Sequence, residues 1–244
     1  IPLSPYTGMT DTLFDIQKLP PPEKLAVCTH SSLKNITSLL SVSTVLEGST
    51  KPTIIPLLFS GFYNTLLESD EPALVIESLN GYRLKEQAPT NYGQFRTPIG
   101  VVETLVSGSD MTVVSYGSTL RMVVEVAHEL QDQDIHVEVI DAQSLLPFDM
   151  AHDVVKSLQK TNRLLIVDED VPGGASSYLL DQILLQQNGY QYLDSKPQTL
   201  TAKAHRPAYG TDGDYFSKPS LEDIYEKIYG IMHESDPSAF PKLR

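Results

Sequence analysis

Residues 205–214, HRPAYGTDGD, gather the widest mix of reactive groups in this 244-residue chain: the His205 imidazole, the Arg206 guanidinium, the Asp212 and Asp214 carboxylates, and glycines at 210 and 213. An imidazole moves protons near neutral pH, and a guanidinium forks onto a carboxylate or phosphate. The stretch reads either as a catalytic or subunit-contact loop worked by His205, Arg206 and Asp212, or as an ordered loop pinned by an Arg–Asp pair. A second concentration lies at Asp168-Glu169-Asp170, followed by Gly173 and Gly174. Three carboxylates offer oxygen ligands to Mg²⁺, but neighbouring side chains on a strand point to opposite faces and converge only across a sharp bend. The competing reading is an acidic loop that caps the next helix or receives a basic partner. The third candidate is Tyr116-Gly117-Ser118-Thr119, where a strand would turn into a helix whose free N–H groups attract anions. A dinucleotide fingerprint needs three spaced glycines, and only Gly117 is present. Ser118 and Thr119 therefore read as helix-cap hydroxyls. The remaining histidines show neither Hx₃H nor HExxH spacing, and there is no GxSxG elbow. This argues against zinc and serine-hydrolase chemistry, and no metal ligand set is assigned.

These candidates sit at the ends of elements that the hydrophobic pattern predicts. Met111–Tyr116, His136–Ile140, Arg163–Val167 and Gln198–Ala202 are short apolar runs of strand type. Between them, Leu120, Val123, Val124, Ala127 and Leu130 fall on one helical face, and Met150, Val154, Val155 and Leu158 on another, with Asp149 placed as its cap. Gly173 and Gly174 lead into a helix through Gln186. A last helix carries Leu221, Ile224, Tyr225, Ile228 and Met232 behind a Ser220/Asp223 capping box. Strands alternating with helices imply right-handed crossovers, so the fold class is α/β: a doubly wound, mainly parallel sheet. Ligands of such sheets sit beyond the carboxyl ends of the strands, where residues 115–119, 141–144, 168–174 and 203–214 lie.

The amino-terminal part is less patterned. Leu25–Thr29 and Thr53–Ile55 read as strands, Leu33–Leu46 and Phe62–Glu68 as helices, Ala73–Leu79 as a strand, and 80–100 as an exposed linker. Residues 1–70 carry 4 basic and 6 acidic side chains, residues 71–244 carry 14 and 25, and the whole chain is at −13. That sign opposes phosphate neutralisation and argues against nucleic acid. No apolar run approaches the roughly 20 residues of a membrane span. The single cysteine, Cys28, fits a reducing compartment, and the expected location is cytoplasmic. The chain opens at Ile1 rather than Met, so it reads as a fragment or as a sequence with loops left out.

Four strings go further: GFYNTLLESDEPALVIESLNGYRLKEQ (61–87), RTPIGVVETLVSGSDMTVVSYGSTLR (96–121), HVEVIDAQSLLPFD (136–149) and VVKSLQKTNRLLIVDEDVPGGAS (154–176). In this order they resemble the beta-type half of thiamine-diphosphate-dependent 2-oxo acid dehydrogenases, as found also in fused alpha/beta bacterial proteins. The resemblance implies a transketolase-type carboxyl-terminal domain at 96–244 and a partial pyrimidine-binding segment at 1–95. It implies oxidative decarboxylation of a 2-oxo acid, branched-chain ahead of pyruvate, with acyl transfer to lipoyl-lysine. Thiamine diphosphate and Mg²⁺ would belong to the whole enzyme, with none bound by this chain alone. Residues 1–51 lack a recognisable cofactor glutamate, and no catalytic residue is assignable beyond His205. The expected partners are a second copy of the chain, an alpha-type half and a lipoyl acyltransferase core. Ser118, Asp168, Glu169, Asp170, Gly173, Gly174, Arg206 and Asp212 stand as interface or loop residues. The rival reading is an α/β nucleotide- or flavin-binding module unrelated to thiamine.

Overall fold

Two four- or five-residue apolar runs, MTVVS and LLIV, are wholly buried and form the middle of the main sheet. The computed structural model describes residues 38–42, 54–77, 93–205 and 213–243. Its strands are β1 (Ser38–Val42), β2 (Ala73–Glu77), β3 (Glu103–Val106), β4 (Met111–Ser115), β5 (Val137–Asp141), β6 (Ser144–Leu146), β7 (Leu164–Val167) and β8 (Gln198–Leu200). The helices are α1 (Ile54–Leu67), α2 (Gly117–Gln131), α3 (Asp153–Thr161), α4 (Ala175–Leu180), α5 (Gly213–Ser217) and α6 (Leu221–Ser235). The main sheet runs β3-β5-β4-β7-β8, parallel throughout except for β3, which lies antiparallel on β5.

Helices cover both faces, and the two-residue period of the strands sorts the core between them. Met111, Val113, Val137, Val139, Leu165 and Val167 meet α2 and α6. Val114, Ile140, Leu164 and Ile166 meet α3 and α4. The expected α/β, doubly wound, mainly parallel architecture is therefore the observed one. One buried rung is polar: Thr112 Oγ1 lies 2.6 Å from both Ser157 Oγ and Thr161 Oγ1.

Glu138 shares that α3-facing side. Its carboxylate accepts from Lys160 and from the Gly108 N–H. Burial pushes this carboxyl up, but the hydrogen bonds from Lys160, Ser157 and Gly108 outweigh it and leave its pKa lowered from 4.5. A lowered native value adds stability above the unfolded pKa, and that stability is lost as pH falls through the native one. Because Lys160 is half exposed, Glu138→Gln should cost only about 1 kcal/mol at neutral pH. Melting curves of the two proteins should converge as pH drops below 4.5.

Several sequence expectations change. Ser38–Val42, expected within a helix, pairs in parallel with Ala73–Glu77; a short apolar run is compatible with either form, and ladder pairing decides. Of the strand expected over Thr53–Ile55, Ile54 and Ile55 instead open α1, Thr53 lying outside the described residues, and the helix tolerates Pro56 because a first-turn residue has no intrahelical donor to lose. Leu25–Thr29 lies outside the described residues. The linker does not stay exposed along its length. Thr97 is buried, and Asn64 Nδ2 and Thr65 Oγ1 of α1 donate to the Phe95 and Thr97 carbonyls at 2.9 and 2.8 Å. Met150 precedes α3 and stands 68% exposed rather than on its apolar face. The helix expected through Gln186 is α4 followed by a π-helical turn over Asp181–Gln186.

Candidate functional site

The carboxyl ends of β4 and β7 lie side by side, since Ser115 pairs with Val167. That register places the turn into α2 next to the acidic loop. Asp168 follows the last residue of β7 and points inward, fully buried. Its Oδ1 accepts the Tyr116 hydroxyl at 2.6 Å and the Asp170 N–H at 2.9 Å, and its Oδ2 accepts the Ser176 N–H at 3.0 Å. The carboxylate thus closes the first turn of α4 and holds the phenol that leads into α2. Burial, with Asp168 next in order, holds the Tyr116 phenol well above its ordinary range. It stays a donor wherever the fold persists. An unfolded tyrosine releases its proton above about pH 10, so this contribution is present below that pH and lost as pH rises beyond it.

Glu169 and Asp170 lie beyond the end of β7 and engage partners other than those of Asp168. Glu169 accepts from the Ser118 hydroxyl and, at 3.2 Å, from Lys218 Nζ. Asp170 accepts the N–H of Val171 at 2.7 Å. Gly173 has φ +91°, which suits glycine. A Cβ on Gly174 would come 2.1 Å from Asp170 Oδ2, so the acidic loop folds directly against that glycine. The three carboxylates do not converge, and no cluster of three His, Cys, Asp or Glu side chains suited to a metal occurs among the described residues.

The turn into α2 departs from the expected cap. Gly117 adopts φ +63°, but no side chain caps the helix at Tyr116. Ser118 instead donates to Glu169, and Thr119 Oγ1 donates to the Tyr116 carbonyl at 2.9 Å. Asp149 does cap α3, from further upstream than the adjacent position: its carboxylate accepts the N–H groups of Asp153 and Val154 at 2.8 and 2.9 Å. Burial raises the Asp149 carboxyl, with those two bonds opposing.

His205, the expected catalytic candidate, is exposed at the surface, its ring 5.9 Å from that of Phe216. Lys203 Nζ lies 3.7 Å from the centre of the same Phe216 ring. Arg206 and Asp212 lie outside the described residues. Sequence reasoning singled out the turn that Tyr116 opens but gave the phenol no role, and it missed Lys218, because a lysine beyond the loop carries no signal of its own.

What this arrangement offers is internal fastening. The start of α2 already faces the Glu169 carboxylate, and the start of α4 is already satisfied by Asp168. Both carboxylates oppose a diphosphate, so neither of these two helix starts fits a thiamine diphosphate–Mg²⁺ site.

The described residues define a doubly wound α/β domain with a mainly parallel sheet, and its kinship is specific. Residues 100–217 match the family model for the transketolase C-terminal domain. The pyruvate dehydrogenase E1 component subunit beta of Chlorokybus atmophyticus is 32% identical over 177 residues, 72% of this chain and 52% of that protein. The acetoin:2,6-dichlorophenolindophenol oxidoreductase subunit beta of Bacillus subtilis is 30% identical over 203 residues, 81% of this chain and 54% of that one. A solved chain described as split gene transketolase, inactive beta4 tetramer, aligns at TM-score 0.47 and 18% identity, over 67% of this chain and 50% of that one. The chain carries a transketolase C-terminal domain and belongs with the beta-type half of thiamine-diphosphate-dependent 2-oxo acid dehydrogenases. It spans about half the length of the curated relatives it matches.

Proposed function

We propose that this chain serves as an assembly component of a thiamine-diphosphate-dependent 2-oxo acid dehydrogenase, with the cofactor site completed by other parts of the enzyme. The observation behind this reading is the carboxyl edge itself, where Asp168 and Glu169 are engaged by Tyr116, Ser176, Ser118 and Lys218. A loop so fastened suits a rigid platform for subunit contacts. The net charge of the whole chain, −13, suits a basic docking module on a lipoyl acyltransferase core, because complementary rim charges speed association. The reading takes residues 1–95 as part of a pyrimidine-binding domain and 96–244 as the platform, in a cytoplasmic enzyme acting with an alpha-type half. The reaction proposed is oxidative decarboxylation with acyl transfer to lipoyl-lysine. Among the described residues no helix is long and apolar enough to cross a membrane.

Calorimetric titration of thiamine diphosphate with Mg²⁺ should give no heat of binding with this chain alone. Mixing it with an alpha-type subunit and supplying either 2-oxoisovalerate or pyruvate, with a lipoyl domain as acceptor, should yield decarboxylation that neither component gives separately. The preferred acid identifies the substrate, with 2-oxoisovalerate expected ahead of pyruvate. Tight cofactor binding by the chain alone, or an assembled mixture inert towards both acids, would overturn the proposal.

A further inference from the structure

Met150 follows Asp149, the carboxylate that closes the start of α3, and it is 68% exposed. Among the described residues no other methionine is exposed: Met111 and Met232 are buried and Met122 is half-buried. The Met150 sulfur nevertheless has a fixed seat. Gly100 adopts φ +79°, and a Cβ there would come 2.7 Å from Met150 Sδ, 2.9 Å from Met150 Cγ and 3.1 Å from Pro147 Cγ. Only glycine leaves room for the thioether at that backbone angle. The backbones are joined at the same point. The Met150 N–H donates to the Gly100 carbonyl at 2.8 Å, the Gly100 N–H donates to Ser144 Oγ at 2.8 Å, and that hydroxyl donates to the Pro147 carbonyl at 2.8 Å. Here the segment that α1 holds through the Phe95 and Thr97 carbonyls enters the main domain.

We propose that Met150 is a site of reversible oxidation by hydroperoxides, made stereoselective and structurally consequential by its seat on Gly100. A sulfur lone pair attacks the terminal peroxide oxygen. The S–O bond forms as the O–O bond breaks, the sulfur is oxidised by two electrons, and the peroxide is reduced to an alcohol, or to water from hydrogen peroxide, its own proton passing to the leaving oxygen. Exposure alone would allow that step at any surface methionine. The seat adds two things. One face of the thioether rests on Gly100 and Pro147 while the other meets solvent, so oxygen arrives on the open face and one sulfoxide epimer dominates. The product is also polar where the thioether was apolar. Hydration of the new S–O group draws the side chain off Gly100, and the hydrogen bonds that join Gly100 to Met150 and Ser144 open more often.

The test is peptide mass mapping of the full chain after graded exposure to hydrogen peroxide. In the folded chain Met150 should gain oxygen about 10-fold faster than Met111, Met122 or Met232, and in denaturant all should react alike. Of the two epimer-specific methionine sulfoxide reductases, one should reduce most of the Met150 peptide obtained from the folded chain, whereas the peptide from denatured chain should need both in like measure. Amide exchange at Gly100 and Met150 should quicken about 5-fold on oxidation and return after treatment with both reductases. Met150→Leu keeps the seat filled without a sulfur, so its exchange should not respond to peroxide; thermal melting checks that it folds. Met150 reacting no faster than the buried methionines, an even mixture of epimers from the folded chain, or unchanged exchange after complete oxidation would each overturn the proposal. No substrate or cofactor enters these measurements, so their outcome is separate from that of the decarboxylation assay.

Discussion

Asp168→Ala should lower the unfolding free energy of the chain by about 3–5 kcal/mol, the range for removing one member of a buried charged network. The substitution leaves the Tyr116 hydroxyl and the Ser176 N–H without their acceptor inside the protein, and frees the Asp170 N–H at the loop. At this chain length that corresponds to roughly 6–20 °C in melting temperature. Asp168→Asn should recover less than half, because its amide nitrogen would face a donor on at least one side. Tyr116→Phe should cost about 1–2 kcal/mol alone, and much less when added to Asp168→Ala, since the two share one hydrogen bond. Chemical denaturation of the four proteins measures the coupling. Additive losses would show that the carboxylate and the phenol act independently.

Gly108→Ala should produce the second large loss, about 3 kcal/mol, through overpacking. Gly108 lies in the turn between β3 and β4. A Cβ there would come 2.3 Å from the Val137 carbonyl carbon and 2.4 Å from the Glu138 nitrogen and the His136 oxygen. All three are backbone atoms, so no rotamer change relieves the clash. The His136 carbonyl also accepts the N–H groups of Ser109 and Asp110 at 2.9 and 3.0 Å, which fixes the turn against the start of β5. Relief requires β5 to shift relative to β3 and β4, which loosens the sheet edge. Thermal melting of the variant checks this, and a transition within one or two degrees of wild type would contradict it.

The parts of the fold that were legible in the sequence are those set by local chemistry. The runs that became β4 and β7 are continuous and apolar because they are buried on both faces. The stripe of α2 follows the helical period, and the Ser220/Asp223 capping box of α6 forms as expected, with Ser220 Oγ accepting the Asp223 N–H at 3.1 Å. Short edge strands left no such trace. β3 has four residues of mixed burial and β6 only three, and each exists through antiparallel pairing with a strand distant in sequence.

At the candidate site, sequence alone determined the identity and adjacency of Asp168, Glu169 and Asp170 and the glycines that let the loop turn. It did not decide what they touch. Tyr116 lies 52 residues from Asp168, Ser118 51 residues from Glu169, and Lys218 49 residues from Glu169. Only the parallel register of β4 on β7 brings the first two pairs together. Which carboxylate is buried, which helix start it closes and which cation it meets are therefore properties of strand order, because partner choice depends on contacts that no local spacing encodes.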